Sequence, residues 1–314
     1  MKVAVWVNDA SEIKPEQTTA GIISELERRG HDVSVCGVRG LSVTPGGGVW
    51  CAGHEGSRVD LSDHDAVWVR TNPGRDAGAA YAHGVGLRLL ERLDAEGVVV
   101  LNAPSGLERA GTKLYLCELS ERVRPRTLVS RDIDQVRAFV TSCDGACVLK
   151  PLDGTHGRDV FKVDALAPSN LRQIIDVLCR DGFVMAQQYV AEAGRGDVRA
   201  ILVNGEPLRV DGKACVVRRV PGAGDFRSNV SAGGRAEGEV WSDRLEQVVK
   251  ELGPKLRRDG LFMVGADVIG SKLVEVNVYS PGGVGDASRF SGVDFMGALV
   301  TKFEERVEEV KGAR

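Results

Sequence analysis

Apolar residues along the chain fall into short runs that alternate with helical repeats. KVAVWV at 2–7 has the pattern of a buried strand. Ile22, Ile23 and Leu26 at helical spacing predict a helix over 18–29, stopped by Gly30 ahead of the strand-like HDVSVCGV. This is a βαβ unit. No GxGxxG follows its first strand, which disfavours a dinucleotide-binding reading of this end of the chain. AVWVR at 66–70, a helix over 76–96, Gly97 and VVVL at 98–101 repeat the alternation, so 1–112 predict a parallel α/β domain. The PGGG run at 45–48 precedes no helix and reads as a surface turn.

Beyond 112 the elements shorten. LVS at 128–130, a helix over 133–141 behind Asp132, CVLKP at 147–151, the loop DGTHGRD at 153–159, VFKV at 160–163, a helix over 169–180 and FVMAQQYV at 183–190 predict a small α+β unit with an antiparallel sheet over 113–190. The remainder, 191–314, gives strands over 197–203, 206–217, 261–269 and 273–278, with helices near 242–259 and 291–310. Phe295, Leu299, Phe303 and Val307 share one face of the last helix.

Composition narrows the function classes. Of 314 residues, 43% are hydrophobic and 27% charged, the balance of a globular chain. Lys plus Arg number 41 against 44 Asp plus Glu, so no basic footprint for nucleic acid exists and any anion site must be assembled locally. No apolar run reaches the ~18 residues of a membrane span, and the first is too short for a signal segment. A membrane partner is therefore not expected, and the cytoplasm is the expected compartment. Seven cysteines, odd in number, scattered and without CxxC, read as reduced structural thiols.

The most informative segment is LFMVGADVIGSKLVEVNVYSPGG at 261–283. Two apolar strands meet at Gly270-Ser271, and Asp267, Glu275 and Asn277 interrupt them. Glu275 and Asn277 are two apart and share a face. Asp267 joins them if the hairpin loop spans three residues, 270–272, which pairs 267 with 275; a two-residue loop pairs 267 with 274 and turns the carboxylate away. Two carboxylates and an amide suit Mg²⁺; acids solvated on an edge hairpin are the plain alternative. In VLKPLDGTHGRDVFKV, Lys150 ends a strand ahead of a loop with Gly154 and Gly157. That order sets an ammonium beside phosphates under a glycine loop, although the spacing is not that of a Walker A motif. An exposed edge lysine is the alternative there. His156 reads as a loop residue, with no His or Cys near it in sequence.

Lys113 in ERAGTKLYL, then KPLDGTHG, VMAQQYV, GDVRAILVNGEPL, RRVPGAGDFRSNVSAGG, GLFMVGADVIG and EVNVYSPGG resemble bacterial glutathione synthetase in order and spacing, over 1–303 and most closely from Asn102 onward. The resemblance implies an ATP-grasp fold: an N-terminal parallel α/β domain over 1–112, a small central domain over 113–190 and a C-terminal antiparallel-sheet domain over 191–314. ATP is then clamped between the last two. It further implies that Lys113 and Lys150 contact ATP phosphates beneath Gly154 and Gly157. Gln188, Tyr189 and Val190 hold the adenine, and Asp197 lies near the ribose. Asp267, Glu275 and Asn277 become ligands of Mg²⁺, with Mn²⁺ as a substitute. Arg70, Arg199, Arg219, Arg227, Asn229, Ser280, Gly282 and Gly283 surround the acyl substrate, with Arg199, Arg219 and Lys150 nearest the chemistry.

The implied reaction needs no side-chain nucleophile. A carboxylate attacks the γ-phosphate of ATP, and an amine then attacks the acyl phosphate. The implied partners are a small acid and a small amine, and the implied assembly is a homo-oligomer. The sequence departs from the family in three places: RTNPGRD at 70–76 stands for the usual RKDPPFD, GTHGRD for a GMGG-like run, and GGVGDASRF follows Ser280-Pro281. The acid is therefore γ-glutamylcysteine, with glycine as amine, or another amino acid or peptide. A nucleotide-binding protein without ligase activity is the third reading, and the complete Lys, Asp, Glu and Asn set argues against it.

Overall fold

Strand β1 (Lys2–Val7) is buried from Val3 onward because both of its faces are covered. The computed structural model describes residues 1–52, 58–153, 159–165, 170–180, 182–222 and 233–314. Helix α1 (Thr18–Arg28) buries Ile22 and Leu26 and ends before Gly30, whose φ of 81° leaves the helix. It returns the chain to β2 (Asp32–Gly37), parallel to β1. Three short strands not expected from the sequence follow: β3 (Leu41–Val43), β4 (Val49–Ala52) and β5 (Arg58–Asp60), which form their own antiparallel sheet. Each is too short to show a period of two. The 45–48 turn closes the β3–β4 hairpin.

Then come β6 (Ala66–Val69), α2 (Ala80–Ala95) and β7 (Val99–Leu101), which complete a parallel sheet ordered β2-β1-β6-β7. Helix α2 starts later than the expected 76, after 3-10 turns at Pro73–Arg75 and Ala77–Ala79. Pro73, Gly74 and Gly78 disfavour a regular helix there, and Asn72 caps the first turn by accepting from the Gly74 amide.

Helix α3 (Pro104–Ala110) passes so close to the end of a later helix that a Cβ on Gly106 would lie 2.0 Å from the Asp259 carbonyl oxygen. Alanine in a helix normally stabilises. Here Gly106→Ala should instead cost ~1–3 kcal/mol or more, read as a lowered melting temperature.

The middle of the chain builds β8 (Thr127–Ser130), α4 (Ile133–Thr141), β9 (Ala146–Pro151), β10 (Phe161–Asp164), α5 (Leu171–Leu178) and β11 (Val184–Gln188). The sheet is antiparallel in order β10-β9-β11-β8, and Val136, Val140, Leu149, Ile175 and Val184 form a core of its own. Asp132 caps α4 through the amides of Asp134 and Gln135. Helix α5 starts at Leu171, inside the expected 169–180.

A six-stranded antiparallel sheet follows. It holds β12 (Asp197–Val203), β13 (Glu206–Pro207), β16 (Val216–Val220), β17 (Arg235–Gly238), β18 (Met263–Ile269) and β19 (Lys272–Asn277), ordered β17-β16-β12-β18-β19 with β13 paired to β12. The single strand expected over 206–217 is broken: β14 (Arg209–Val210) and β15 (Lys213–Ala214) make a separate hairpin. Pro207 withholds an N–H, and Asp211 and Gly212, at φ 49° and 76°, turn the chain sharply. Helix α6 (Asp243–Arg258) is capped by Ser242. Helix α7 (Val284–Ser291) was not expected, and α8 (Phe295–Ala313) closes the chain.

The first and last sheets share their cores. Leu107 and Trp6 belong to one cluster with Val264 and Leu256, and Trp68 stacks on Phe303 of α8 with centroids 4.3 Å apart. Asn102, buried at the end of β7, donates to the carbonyls of Met263 and Val278 and accepts from the Met263 amide, so one side chain clips the first sheet to β18. No helix among the described residues is long and apolar enough to cross a membrane.

Candidate active site

The acidic hairpin is built differently from the expectation, with the same result. Its loop has two residues, Gly270-Ser271, with Ile269 opposite Lys272 and Gly270 at φ 60°. That loop should pair Asp267 with Val274. A β-bulge at Val274 absorbs one residue, so Val268 faces Leu273 and Asp267 faces Glu275. The bulge restores Asp267 to the face of Glu275 and Asn277. It also frees the Val274 carbonyl, which accepts from Lys150 Nζ at 3.3 Å.

Register then lines charges across the sheet. Asp197 on β12 pairs with Arg219 on β16, Arg199 on β12 with Asp267 on β18, and Asp267 with Glu275 on β19. Arg219 grips Asp197 bidentately at 2.7 and 2.6 Å, and its Nη2 also reaches Asp267 Oδ2 at 2.7 Å. Arg199 holds Asp267 bidentately, both bonds 2.7 Å, and Asn277 Nδ2 donates to Asp267 Oδ2 at 3.0 Å. Asp267 is fully buried. Burial works to raise its pKa, but Arg199 and Arg219 outweigh that and hold it down to about 2.

The two lysines approach the same hairpin from the middle of the chain. Lys150, 8% exposed on β9, has its pKa lowered by burial to about 8, against the pull of Glu275 and with the push of Lys113. Lys113 is likewise lowered by burial, against the pull of Glu275 and Asp153, and its Nζ lies 3.4 Å from the Leu152 carbonyl. Glu275 is thus the common neighbour of both ammonium groups. Among the described residues it has no hydrogen-bond or salt-bridge partner.

A cavity of about 290 Å³ brings together Arg70, Arg199, Arg219, Glu275, Asn277 and the turn at Ser280, Gly282 and Gly283. A smaller one of about 70 Å³ joins Lys113 to Glu275 and Asn277. Gly283 has a φ of 108°, which favours glycine, and a Cβ there would sit tightly, 3.2 Å from Val217 Cγ1. Arg70, 4% exposed, donates to the Pro281 carbonyl at 2.9 Å. Gln188 ends β11, Tyr189 and Val190 lead on toward β12, and the Tyr189 ring carries Lys162 Nζ 3.9 Å from its centroid. Gly154, Gly157, Arg227 and Asn229 lie outside the described residues.

The donor set fits a divalent ion. Asp267, Glu275 and Asn277 offer hard oxygens from one face of a hairpin, and a carboxyl with a pKa near 2 is already ionised for ligation. As the side chains stand, Asp267 spends its oxygens on two guanidinium groups and the Asn277 amide. Sequence reasoning missed Thr19, Asn72 and Arg75, which also line the 290 Å³ cavity; Asn72 and Arg75 sit in the departing 70–76 motif.

Residues 112–292 match the family described as prokaryotic glutathione synthetase, ATP-grasp domain, and residues 1–108 match its N-terminal domain. The chain is 33% identical over 335 residues to the glutathione synthetase of Synechococcus elongatus, covering 98% of this chain and 100% of that one. It is 37% identical over 304 residues to that of Parasynechococcus marenigrum, covering 92% and 94%. Its fold superimposes on the crystal structure of D-cycloserine synthetase DcsG with a TM-score of 0.70, at 18% identity and over 97% and 99% of the two chains. The architecture is therefore the ATP-grasp fold.

Proposed function

Since the chain belongs to the prokaryotic glutathione synthetase family, and is an ATP-dependent ligase of the ATP-grasp type, we propose that it joins an amino acid or short peptide acid to an amine through an acyl phosphate. The observation that carries this reading is Glu275: it faces Asp267 across the hairpin and is felt by both Lys113 and Lys150. Metal ligands and phosphate ligands are thereby adjacent.

In the proposed reaction the acid's carboxylate attacks the γ-phosphorus of ATP, ADP leaves, and the amine displaces phosphate from the carbonyl. The protein positions the reactants and neutralises charge as it develops. Lys113 and Lys150 take the phosphate oxygens, and Arg199 and Arg219 take the acid's carboxylate and the transferring group. Arg70, Arg227, Asn229, Ser280, Gly282 and Gly283 shape the acid's pocket. Mg²⁺, or Mn²⁺ in its place, held by Asp267, Glu275 and Asn277, supplies charge neutralisation on the phosphates. With Asp267 engaged as a ligand, Arg199 and Arg219 can turn to the acid. Residues 113–190 form the unit that closes over the nucleotide, with Gly154 and Gly157 above the phosphates. Gln188, Tyr189 and Val190 line the adenine. For Asp197, whose oxygens are held by Arg219, we read a role in orienting that arginine beside the ribose.

γ-Glutamylcysteine with glycine is the first pair to test, and another acid–amine pair is the second. Phosphate release over a panel of both distinguishes them. Release with γ-glutamylcysteine plus glycine alone supports the first reading and release with another pair supports the second. ATP binding without release on any pair would defeat the ligase proposal. Seven free cysteines fit the reducing cytoplasm. We read the assembly as a homo-oligomer; a monomer by sedimentation would rule it out.

A further inference from the structure

Arg70 is a buried cation whose charge nothing described in the fold neutralises. Its guanidinium donates to Thr19 Oγ1 at 3.3 Å and to the Pro281 carbonyl at 2.9 Å and touches Met263 Sδ at 3.2 Å, all neutral groups. Burial, and then the neighbouring Arg75, lower its pKa to about 9. Uncompensated buried charge is costly, and an anion supplied from outside removes the cost.

Two further features face the same space. Arg75 is exposed, has no ion-pair partner among the described residues, and lines both the 290 Å³ cavity and a second one of about 760 Å³. Gln17, at the N-cap of α1, makes no side-chain cap, and it lines both cavities together with Thr19. An uncapped helix N-terminus favours negative charge. The acids nearby do not fill the space: Asp76 is held by Arg39 at 2.9 Å, Asp286 by Arg289 at 2.8 Å, Asp9 accepts from Ser11, and Glu12 and Glu16 are exposed. Arg199, Arg219 and Glu275 line the smaller cavity and not the larger. Positive charge therefore extends beyond the reacting end of the pocket.

We propose that Arg70, Arg75 and the N-terminus of α1 form a seat for a second anionic group of the acid substrate, remote from the carboxyl that is activated. Arg75, which stands where the family reads phenylalanine, sets the preference for acids that carry that group. The inference rests on the ligase reading for the identity of the ligand as the acid substrate. An acid with a carboxylate at its remote end is held by charge-assisted bonds that its carboxamide cannot make.

Calorimetry on the full chain tests this with two matched pairs: γ-glutamylcysteine against the derivative amidated at the glutamyl α-carboxyl, and glutarate against glutaramate. The wild type should bind at least one carboxylate form about tenfold or more tighter than its amide. Arg75→Phe should remove most of that ratio, and Arg75→Lys should retain part of it. An unchanged ratio in Arg75→Phe, or a wild type that prefers no carboxylate over its amide in either pair, overturns the proposal. Phosphate release on the same compounds judges the ligase reading separately, since turnover that ignores Arg75 would sustain that reading while sinking this one.

Discussion

Lys150→Met is expected to lower kcat by about 10³-fold or more and to leave the protein at least as stable as before. The two halves of this expectation have one cause. Among the described residues Lys150 is buried with one carbonyl as acceptor, and its pKa falls from 10.5 to about 8, so the folded protein holds this ammonium at a disadvantage on the order of 3 kcal/mol below pH 8. The penalty fades as pH rises from about 8 through the ordinary lysine value. A thioether of similar length removes it at every pH. What the protein loses, on the proposed reading, is a positive charge for the phosphates, whose binding would repay the desolvation. Steady-state phosphate release and thermal melting of the same sample check both halves; a loss of activity accompanied by a large loss of stability would mean that Lys150 is a structural group.

Asp267→Asn and Glu275→Ala are expected to abolish turnover alike and to differ in stability. Asp267 ties Arg199, Arg219 and Asn277 together in the middle of the sheet. Neutralising it takes the carboxylate from Arg199 and leaves Arg219 with Asp197 alone, and breaking such a cluster costs ~3–5 kcal/mol. Glu275 makes no hydrogen bond or salt bridge among the described residues and loses only its attraction for Lys113 and Lys150, so its removal should lower the melting temperature by less than Asp267→Asn does. The acid dependence follows from the same carboxyl. Its folded pKa of about 2 lies below the ordinary value, so its stabilisation is complete above about pH 4 and is lost as pH falls through about 2. Asp267→Asn should flatten that limb of the stability curve. Equal melting temperatures for Asp267→Asn and wild type would show that the arginines are satisfied elsewhere.

Much of the site was legible because its residues oppose their surroundings. Asp267, Glu275 and Asn277 stand out in strands of Val and Ile, and the side-chain period of two is enough to put Glu275 and Asn277 on one face. The third residue depended on register. The loop has two residues, and a bulge at Val274, which no local composition marks, restores the pairing that a three-residue loop would have given. Helix α7 was missed because its apolar residues are few; Gly292 at φ 72°, just past its end, was the available signal. The strand expected over 206–217 is interrupted because Pro207 and the left-handed Asp211-Gly212 turn outweigh the apolar pattern around them.

Arg70 and Arg75 illustrate the other limit. The resemblance puts Arg70 beside the acyl substrate, whereas for Arg75 the sequence shows only that the 70–76 motif differs from the family's there. That Arg70 is buried against neutral acceptors, and that α1 brings an uncapped terminus to it, depends on contacts between residues 19, 70, 263 and 281. Such convergence across sheets is settled by packing, and no local pattern encodes it.

Attack of the acid's own oxygen on the γ-phosphorus is the step that every role assigned above serves. An acid labelled with ¹⁸O in the reacting carboxyl, turned over with ATP and amine, reports on it through mass spectrometry of the released phosphate. One labelled oxygen per phosphate is the predicted result. Phosphate free of label, alongside product amide, would contradict it.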